Sequence, residues 1–294
     1  MKIPLFNNII PKPKPQQQNN NAFEYAECNS LKFDHDSSLF TVGIMGEFKR
    51  GKSTVINALL GKNILPADIA PTTATPIFIR YGEKERAVLH FKNGDEKEIG
   101  INELKTYTSF SDDGFETCPE AAVLYTPCSL LLNSIQLIDT PGTNNDYETD
   151  RIVRKTGLVT NAVIMVIIPG SPFSQSEAEF VRSMIMSDNT KQIVFIVNKI
   201  DLLEDNIINE LLASIRQKIQ TLVFDIIIEK YGINSKQYSD AKEKLGEIVI
   251  LPISAKKALN GKLNNDEKLI EESRYREFEK ALSTLIAEVK VKQR

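Results

Sequence analysis

Gly46-Glu47-Phe48-Lys49-Arg50-Gly51-Lys52-Ser53 fits G-x-x-x-x-G-K-[ST], and what lies on either side of it decides the fold. Upstream, Leu39-Phe40-Thr41-Val42-Gly43-Ile44-Met45 is a short apolar run of the kind that makes a buried strand. Downstream, Thr54 to Leu60 carries Val55, Leu59 and Leu60 at helical spacing, and Gly61 supplies a stop. Strand, glycine-bounded loop and helix together form a cradle in which backbone N–H groups and a helix N-terminus face anionic oxygens. Gly46 and Gly51 let the backbone wrap closely. Lys52 would reach terminal phosphates, and the Ser53 hydroxyl would ligate Mg²⁺. Glu47, Phe48, Lys49, Arg50, Gly51, Lys52, Ser53 and Thr54 are the nucleotide-contacting candidates of this loop.

Composition bounds the rest. A chain of 294 residues with 41% hydrophobic content can bury a core of enzyme size. Its net charge of -3 gives no basic field, so no nucleic-acid partner is expected. Cys28, Cys118 and Cys128 lack metal-ligand spacing and fit reduced thiols in a cytoplasmic setting. No apolar window reaches the length of a membrane-spanning helix. Residues 1–38 are expected to be a disordered N-terminal tail and lead-in, since Pro11 to Asn21 is rich in proline, glutamine and asparagine. Residues 39–294 are expected to form one domain.

Three further motifs follow the loop in order. Residues 62–75 have proline punctuation and no periodicity, as a switch segment would, and Thr73 is the expected γ-phosphate and Mg²⁺ sensor ahead of Thr72 and Thr75. Strands are expected over Pro76–Tyr81 and Arg86–Phe91, with an Asn93-Gly94 turn into another, and again over Ala121–Tyr125. The strand Ser134–Ile138 then ends in Asp139-Thr140-Pro141-Gly142, where Asp139 can hold the Mg²⁺ shell and the Gly142 N–H can sense the γ-phosphate. A buried strand over Ala162–Ile168 and a helix over 174–187 come next. The strand Ile193–Val197 leads into Asn198-Lys199-Ile200-Asp201, in which the aspartate offers two acceptors for the paired N–H donors of guanine. Asn198 can tie this segment to the first loop, and the Lys199 stem can lie along the base. A long helix is expected over 205–231, a last strand over Gly246–Ile253, a polar loop over Asn260–Asn265 and a final helix from about Arg274. Ser254, Ala255 and Lys256 follow that last strand, with backbone N–H groups placed for the guanine carbonyl.

With these motifs in register, the sequence resembles the GTPase domain of the dynamin superfamily, and within it the bacterial dynamin-like proteins. The likeness is densest in Gly46–Pro66 (GEFKRGKSTVINALLGKNILP) and Ala70–Pro76 (APTTATP), recurs over Tyr125–Gly142, and with Asn198–Asp201 covers about residues 38–290. It implies an α/β P-loop fold with a mostly parallel central sheet, helices on both faces and a dynamin-type insertion. It also implies Mg²⁺-dependent hydrolysis of GTP to GDP and phosphate, stimulated by GTPase-domain pairing in a homodimer or hetero-oligomer. The process served would be mechanochemical or membrane-associated. The alternative is a GTP-loaded switch or scaffold that barely hydrolyses until a partner docks, since no glutamine stands in the segment just after Gly142.

Two departures from the family pattern are visible. Eukaryotic dynamins carry glutamine and serine where Phe48 and Lys49 stand, so the serine that helps hold a monovalent cation is missing. Guanylate-binding proteins, similar in fold, place an arginine at the matching position, which makes Lys49 the expected catalytic cation and Arg50 its competitor. Lys49, Lys52, Ser53, Thr73 and Gly142 are therefore the expected catalytic set, with Ser53, Thr73 and Asp139 around the metal. The helical stalk and lipid-binding region are expected to lie outside this chain, so a cytoplasmic protein would reach the inner membrane face through a missing region or a partner chain.

Overall fold

The computed structural model describes residues 36, 38–66, 75–108, 119–142, 159–186, 188, 190 and 192–292. The tail expected over 1–38 falls outside them except at residues 36 and 38, as do Thr73, Cys28 and Cys118. The strands are β1 Phe40–Met45, β2 Ile77–Tyr81, β3 Arg86–His90, β4 Glu96–Ile99, β5 Ala121–Thr126, β6 Ile135–Asp139, β7 Ala162–Ile167, β8 Gln192–Val197 and β9 Ile250–Pro252. They form one sheet in the order β4-β3-β5-β2-β6-β1-β7-β8-β9. From β6 to β9 every neighbouring pair is parallel. Beyond β6, β2 turns antiparallel to it, and β3 is antiparallel to β4 and β5. The expected mostly parallel sheet is present, and the insertion ahead of Asp139 extends it along one edge.

The helices are α1 Lys52–Leu60, α2 Leu104–Thr108, α3 Gln175–Ile185, α4 Asp205–Ile219, α5 Ile226–Tyr231, α6 Lys236–Leu245, α7 Ala255–Asn264, α8 Glu267–Glu272 and α9 Tyr275–Lys292. Strand alternation sorts them into two layers. Val42 and Ile44 of β1 face a core shared with α1, α7 and α9, whereas Met45 joins Val163 and Met165 in a core with α3, α4 and α6. Both sheet faces are thus covered, which is why β1, β7 and nearly all of β8 are buried apolar runs. Each buried Val, Ile or Leu contributes roughly 1.5–3 kcal/mol. Because β1, β6, β8 and β9 run in one direction, their C-terminal ends bring Gly46, Asp139, Asn198 and Ser254 to a single edge.

Three elements differ from the sequence reading. The helix expected over 205–231 contains a π-helical segment, Gln220–Asp225, between α4 and α5. The wider turn shifts the apolar stripe, so Ile227 is buried while its neighbour Ile226 is exposed. The polar loop expected over Asn260–Asn265 is instead the end of α7, held because Ala258, Leu259 and Gly261 pack inward and a Cβ at Gly261 would meet Ile270 at 2.7 Å. The last strand is also short, limited to Ile250–Pro252.

One buried amide fixes where the chain leaves α1. Asn57, fully buried, donates through Nδ2 to the Leu65 carbonyl at 2.9 Å and accepts at Oδ1 from the N–H groups of Ile64 and Leu65 at 3.1 and 2.9 Å. Asn57→Ala strands buried backbone groups at Leu65 and should cost roughly 2–3 kcal/mol. Urea unfolding checks it: the midpoint should fall with the slope unchanged.

Candidate active site

The loop leaving β1 is held open from outside. The Lys49 carbonyl accepts from Lys199 Nζ at 2.7 Å, and the Arg50 carbonyl accepts from Asn198 Nδ2 at 2.9 Å. A peptide's C=O and N–H point in opposite directions, so pulling these carbonyls outward turns the N–H groups of Arg50 and Gly51 into the arch. Lys49 has φ 62° and Gly51 φ 88°, both left-handed. At Gly51 a Cβ would also approach Asn198 Nδ2 to 2.5 Å. Glycine is needed there on both counts. Within the arch, Lys52 Nζ donates to the carbonyls of Gly46 and Glu47 at 3.0 and 3.2 Å. Burial lowers the Lys52 pKa to about 8, with Asp139 pulling the other way. The lysine is charged at neutral pH and bonded to groups it can release. Thr54, half-buried, stands behind it on the first turn of α1.

Ser53 and Asp139 meet although 86 positions separate them. The serine hydroxyl donates to Asp139 Oδ2 at 2.7 Å, while Oδ1 is buried with no hydrogen-bond partner among the described residues. Burial raises the Asp139 pKa to about 6, against the pull of Ser53 and Lys52. A buried carboxylate with an unpartnered oxygen beside a hydroxyl is a hard-oxygen set suited to Mg²⁺, which takes one or two protein ligands and the rest from phosphates and water. Thr140 Oγ1 anchors the next residue by donating to the Ile44 carbonyl at 2.9 Å. Gly142 then passes so close to the loop that a Cβ would meet Phe48 Cα at 2.6 Å.

At the far end, Asn198 joins three segments. Besides Arg50, it accepts at Oδ1 from the Ala255 N–H at 3.0 Å. Asp201 is exposed and its Oδ1 accepts from Ser254 Oγ at 2.5 Å. The expectation of three backbone donors narrows here. Ser254 N–H goes to the Ser273 carbonyl and Ala255 N–H to Asn198, so two of the three are taken within the chain.

Lys49 and Arg50, neighbours in sequence, part in space. Lys49 is exposed, its ammonium 5.3 Å from the Phe48 ring centroid. The Arg50 side chain is 2% exposed and paired with Glu47 and with Glu177, the latter at 3.1 Å. Its guanidinium also donates to the Ser171 carbonyl at 3.0 Å. Arg50 therefore enters the cradle through its backbone. Glu47 likewise turns its carboxylate aside, to Ser174 and Ser176. Sequence reading missed Glu177, although Ser174-Gln175-Ser176-Glu177 is a legible capping box for α3.

A family model described as the dynamin family matches residues 42–200. The chain belongs to the dynamin family. An uncharacterized protein of Caldicellulosiruptor is 30% identical to it over 267 residues, a match covering 90% of this chain and 61% of that protein. A bacterial dynamin-like protein of Nostoc punctiforme is 26% identical over 268 residues, covering 84% and 37%. In a solved structure of an oligomerised bacterial dynamin pair, one chain matches with a TM-score of 0.63 at 18% identity, covering 85% of this chain and 45% of that one. That likeness shows the fold. This dynamin-family chain thus spans 61% and 37% of the length of the two relatives.

The Ser53–Asp139 pair makes a pH test of the site. Asp139 holds its proton more tightly folded than unfolded, so the stabilisation from its neutral form is complete below its ordinary 3.8 and lost as pH rises through about 6. Across that window the ligand-free chain should lose stability relative to Asp139→Asn. Paired urea titrations at stepped pH check the difference. A constant offset would mean that the carboxyl is not protonated by burial.

Proposed function

We propose that this chain binds GTP with Mg²⁺ and hydrolyses it to GDP and phosphate by in-line attack of water. The observation that carries the reading is the meeting, on one sheet edge, of the Lys52 cradle, the Ser53–Asp139 pair and the Asn198–Asp201 segment. In this reading Lys52 leaves the carbonyls of Gly46 and Glu47 for the terminal phosphates, and the inward N–H groups of the arch take the remaining oxygens. Ser53 and Asp139 would hold Mg²⁺, which when bound offsets charge on the phosphate oxygens. Gly142, stacked on Phe48, brings its N–H to the γ-phosphate end, and Thr73 is assigned from sequence to order the attacking water. No covalent residue is needed, because positioning and charge compensation lower the barrier.

Asp201 selects guanine by accepting two N–H donors that adenine lacks. Asp201→Asn should weaken GTP binding and favour xanthosine triphosphate, as competition between the two nucleotides would measure. Tight ATP binding by the native chain would contradict the assignment.

Lys49 supplies the compensating charge when two GTPase domains meet. Its exposure supports this role, as does the burial of Arg50, its rival. Pairing through this face, in a homodimer or a hetero-oligomer, would exclude water and strengthen that charge. The chain would then act as the GTPase part of a dynamin-like, membrane-associated assembly. Among the described residues no helix is long and apolar enough to cross a membrane. Turnover should rise faster than linearly with protein concentration. Lys49→Ala should keep GTP affinity but lose roughly ten- to a hundred-fold in turnover. Linear, very slow turnover by the native chain would instead favour the partner-dependent switch.

A further inference from the structure

We propose that Arg50 is a positioning residue for the nucleotide: buried between Glu47 and Glu177, it holds the cradle in its binding shape and neutralises two carboxylates that would otherwise repel the phosphates. This rests on the GTP reading given above and deepens it.

The geometry excludes a direct catalytic role for the guanidinium. It is 2% exposed and committed on three sides, to Glu47, to Glu177 at 3.1 Å and to the Ser171 carbonyl at 3.0 Å. The backbone of the same residue is also fixed, because its carbonyl accepts from Asn198. One residue is thus pinned at both ends, its side chain to the corner between β7 and α3 and its main chain to the base-recognition segment. The conformation of the arch between Lys49 and Gly51 depends on that pin.

The two acids cannot relax if Arg50 is removed. Glu177, 1% exposed, is the third residue of α3, and its Oε2 accepts from the Ser174 N–H at 2.8 Å in the capping box. Its position is therefore set by the helix, not by the loop. Glu47 Oε1 is held by the hydroxyls of Ser174 and Ser176 at 2.5 and 2.6 Å. Both carboxylates and the guanidinium lie close enough to act on the buried Lys52 amine, the group that would meet the phosphates. Without Arg50, Glu47 would keep its charge beneath an anion-binding loop, and Glu177, which burial already raises to about 7, would lose the partner that favours its ionised form. The sequence around residues 171–177 thereby becomes part of the nucleotide site without touching the nucleotide.

The test is binding of a fluorescent GTP analogue to the native chain, Arg50→Met, Glu177→Gln and the double variant, with thermal unfolding alongside. Arg50→Met should weaken binding by about tenfold or more, and Arg50→Met/Glu177→Gln should recover most of the loss, because one stranded charge has gone. Compared at pH 8, above the value of about 7 to which burial raises Glu177, Glu177→Gln alone should tighten binding by about threefold, since it brings the cluster of Arg50, Glu47 and residue 177 from net negative to neutral. That variant keeps the helix cap and the Arg50 contacts to Glu47, so it reports even if Arg50→Met does not fold. A merely structural arginine would lower unfolding temperature in Arg50→Met with unchanged affinity, and a direct phosphate ligand would show no rescue in the double variant. Either result overturns the proposal, as does weaker or equal binding by Glu177→Gln. If the native chain fails to bind the analogue, the GTP reading falls first and this proposal with it.

Discussion

Asn198 holds the site together with one side-chain amide. Its Nδ2 takes the Arg50 carbonyl and its Oδ1 takes the Ala255 N–H, so the loop after β1, the segment after β8 and the start of α7 share a single buried group. An amide can do this because it donates and accepts at opposite corners of one plane, whereas a carboxylate only accepts. Glycine at position 51 follows from the same contact, since any Cβ would press on Nδ2. The strand order follows as well: residues on β1 and β8 are brought this near because β7 alone separates them in a parallel sheet.

Much of this was legible because the motifs combine a fixed spacing with a distinctive flanking pattern. The strand before Gly46 and the helix after it were read from apolar runs of different period, and Asn198 was expected to tie its segment to the first loop. What escaped was tertiary. Nothing in the residues Lys49 and Arg50 says that one chain points to solvent and the other lies buried against Glu177, 127 positions away. That outcome depends on α3 presenting a capping glutamate to the underside of the loop. The π-helical segment at Gln220–Asp225 was hidden for a related reason: an inserted residue shifts a helical stripe without breaking its composition. The reading of Asn260–Asn265 as loop failed because polar residues there cover a helix whose inward side is Ala255, Ala258, Leu259 and Gly261.

The insertion ahead of Asp139 has a mechanical consequence. β2 is hydrogen-bonded antiparallel to β6, with Ile77 opposite Asp139 itself. The segment that contains Thr73 therefore ends, at Thr75 and Pro76, directly beside the strand that carries Asp139. Thr75 is buried and its hydroxyl donates to the Pro119 carbonyl at 3.0 Å. Its side chain is committed to the sheet edge. The order of preference drawn from sequence thus gains a physical reason against Thr75.

Charge balance is the last constraint. Lys52, Arg50, Asp139, Glu47 and Glu177 form a cluster in which burial raises the acids Asp139 and Glu177, to about 6 and about 7, and lowers Lys52 to about 8. Glu47 is the exception: burial pushes it up, but the Ser174 and Ser176 hydroxyls and Arg50 hold it below its ordinary value. Such groups cost stability in the ligand-free fold, and they persist because the surrounding strands fix them. In the proposed reading a triphosphate with its cation would add both signs of charge to the same place, giving Lys52 an anionic partner and Asp139 a cationic one. The fold bearing these groups should therefore gain more from binding than the contacts of the nucleotide alone would supply, by linkage between ligand and native state.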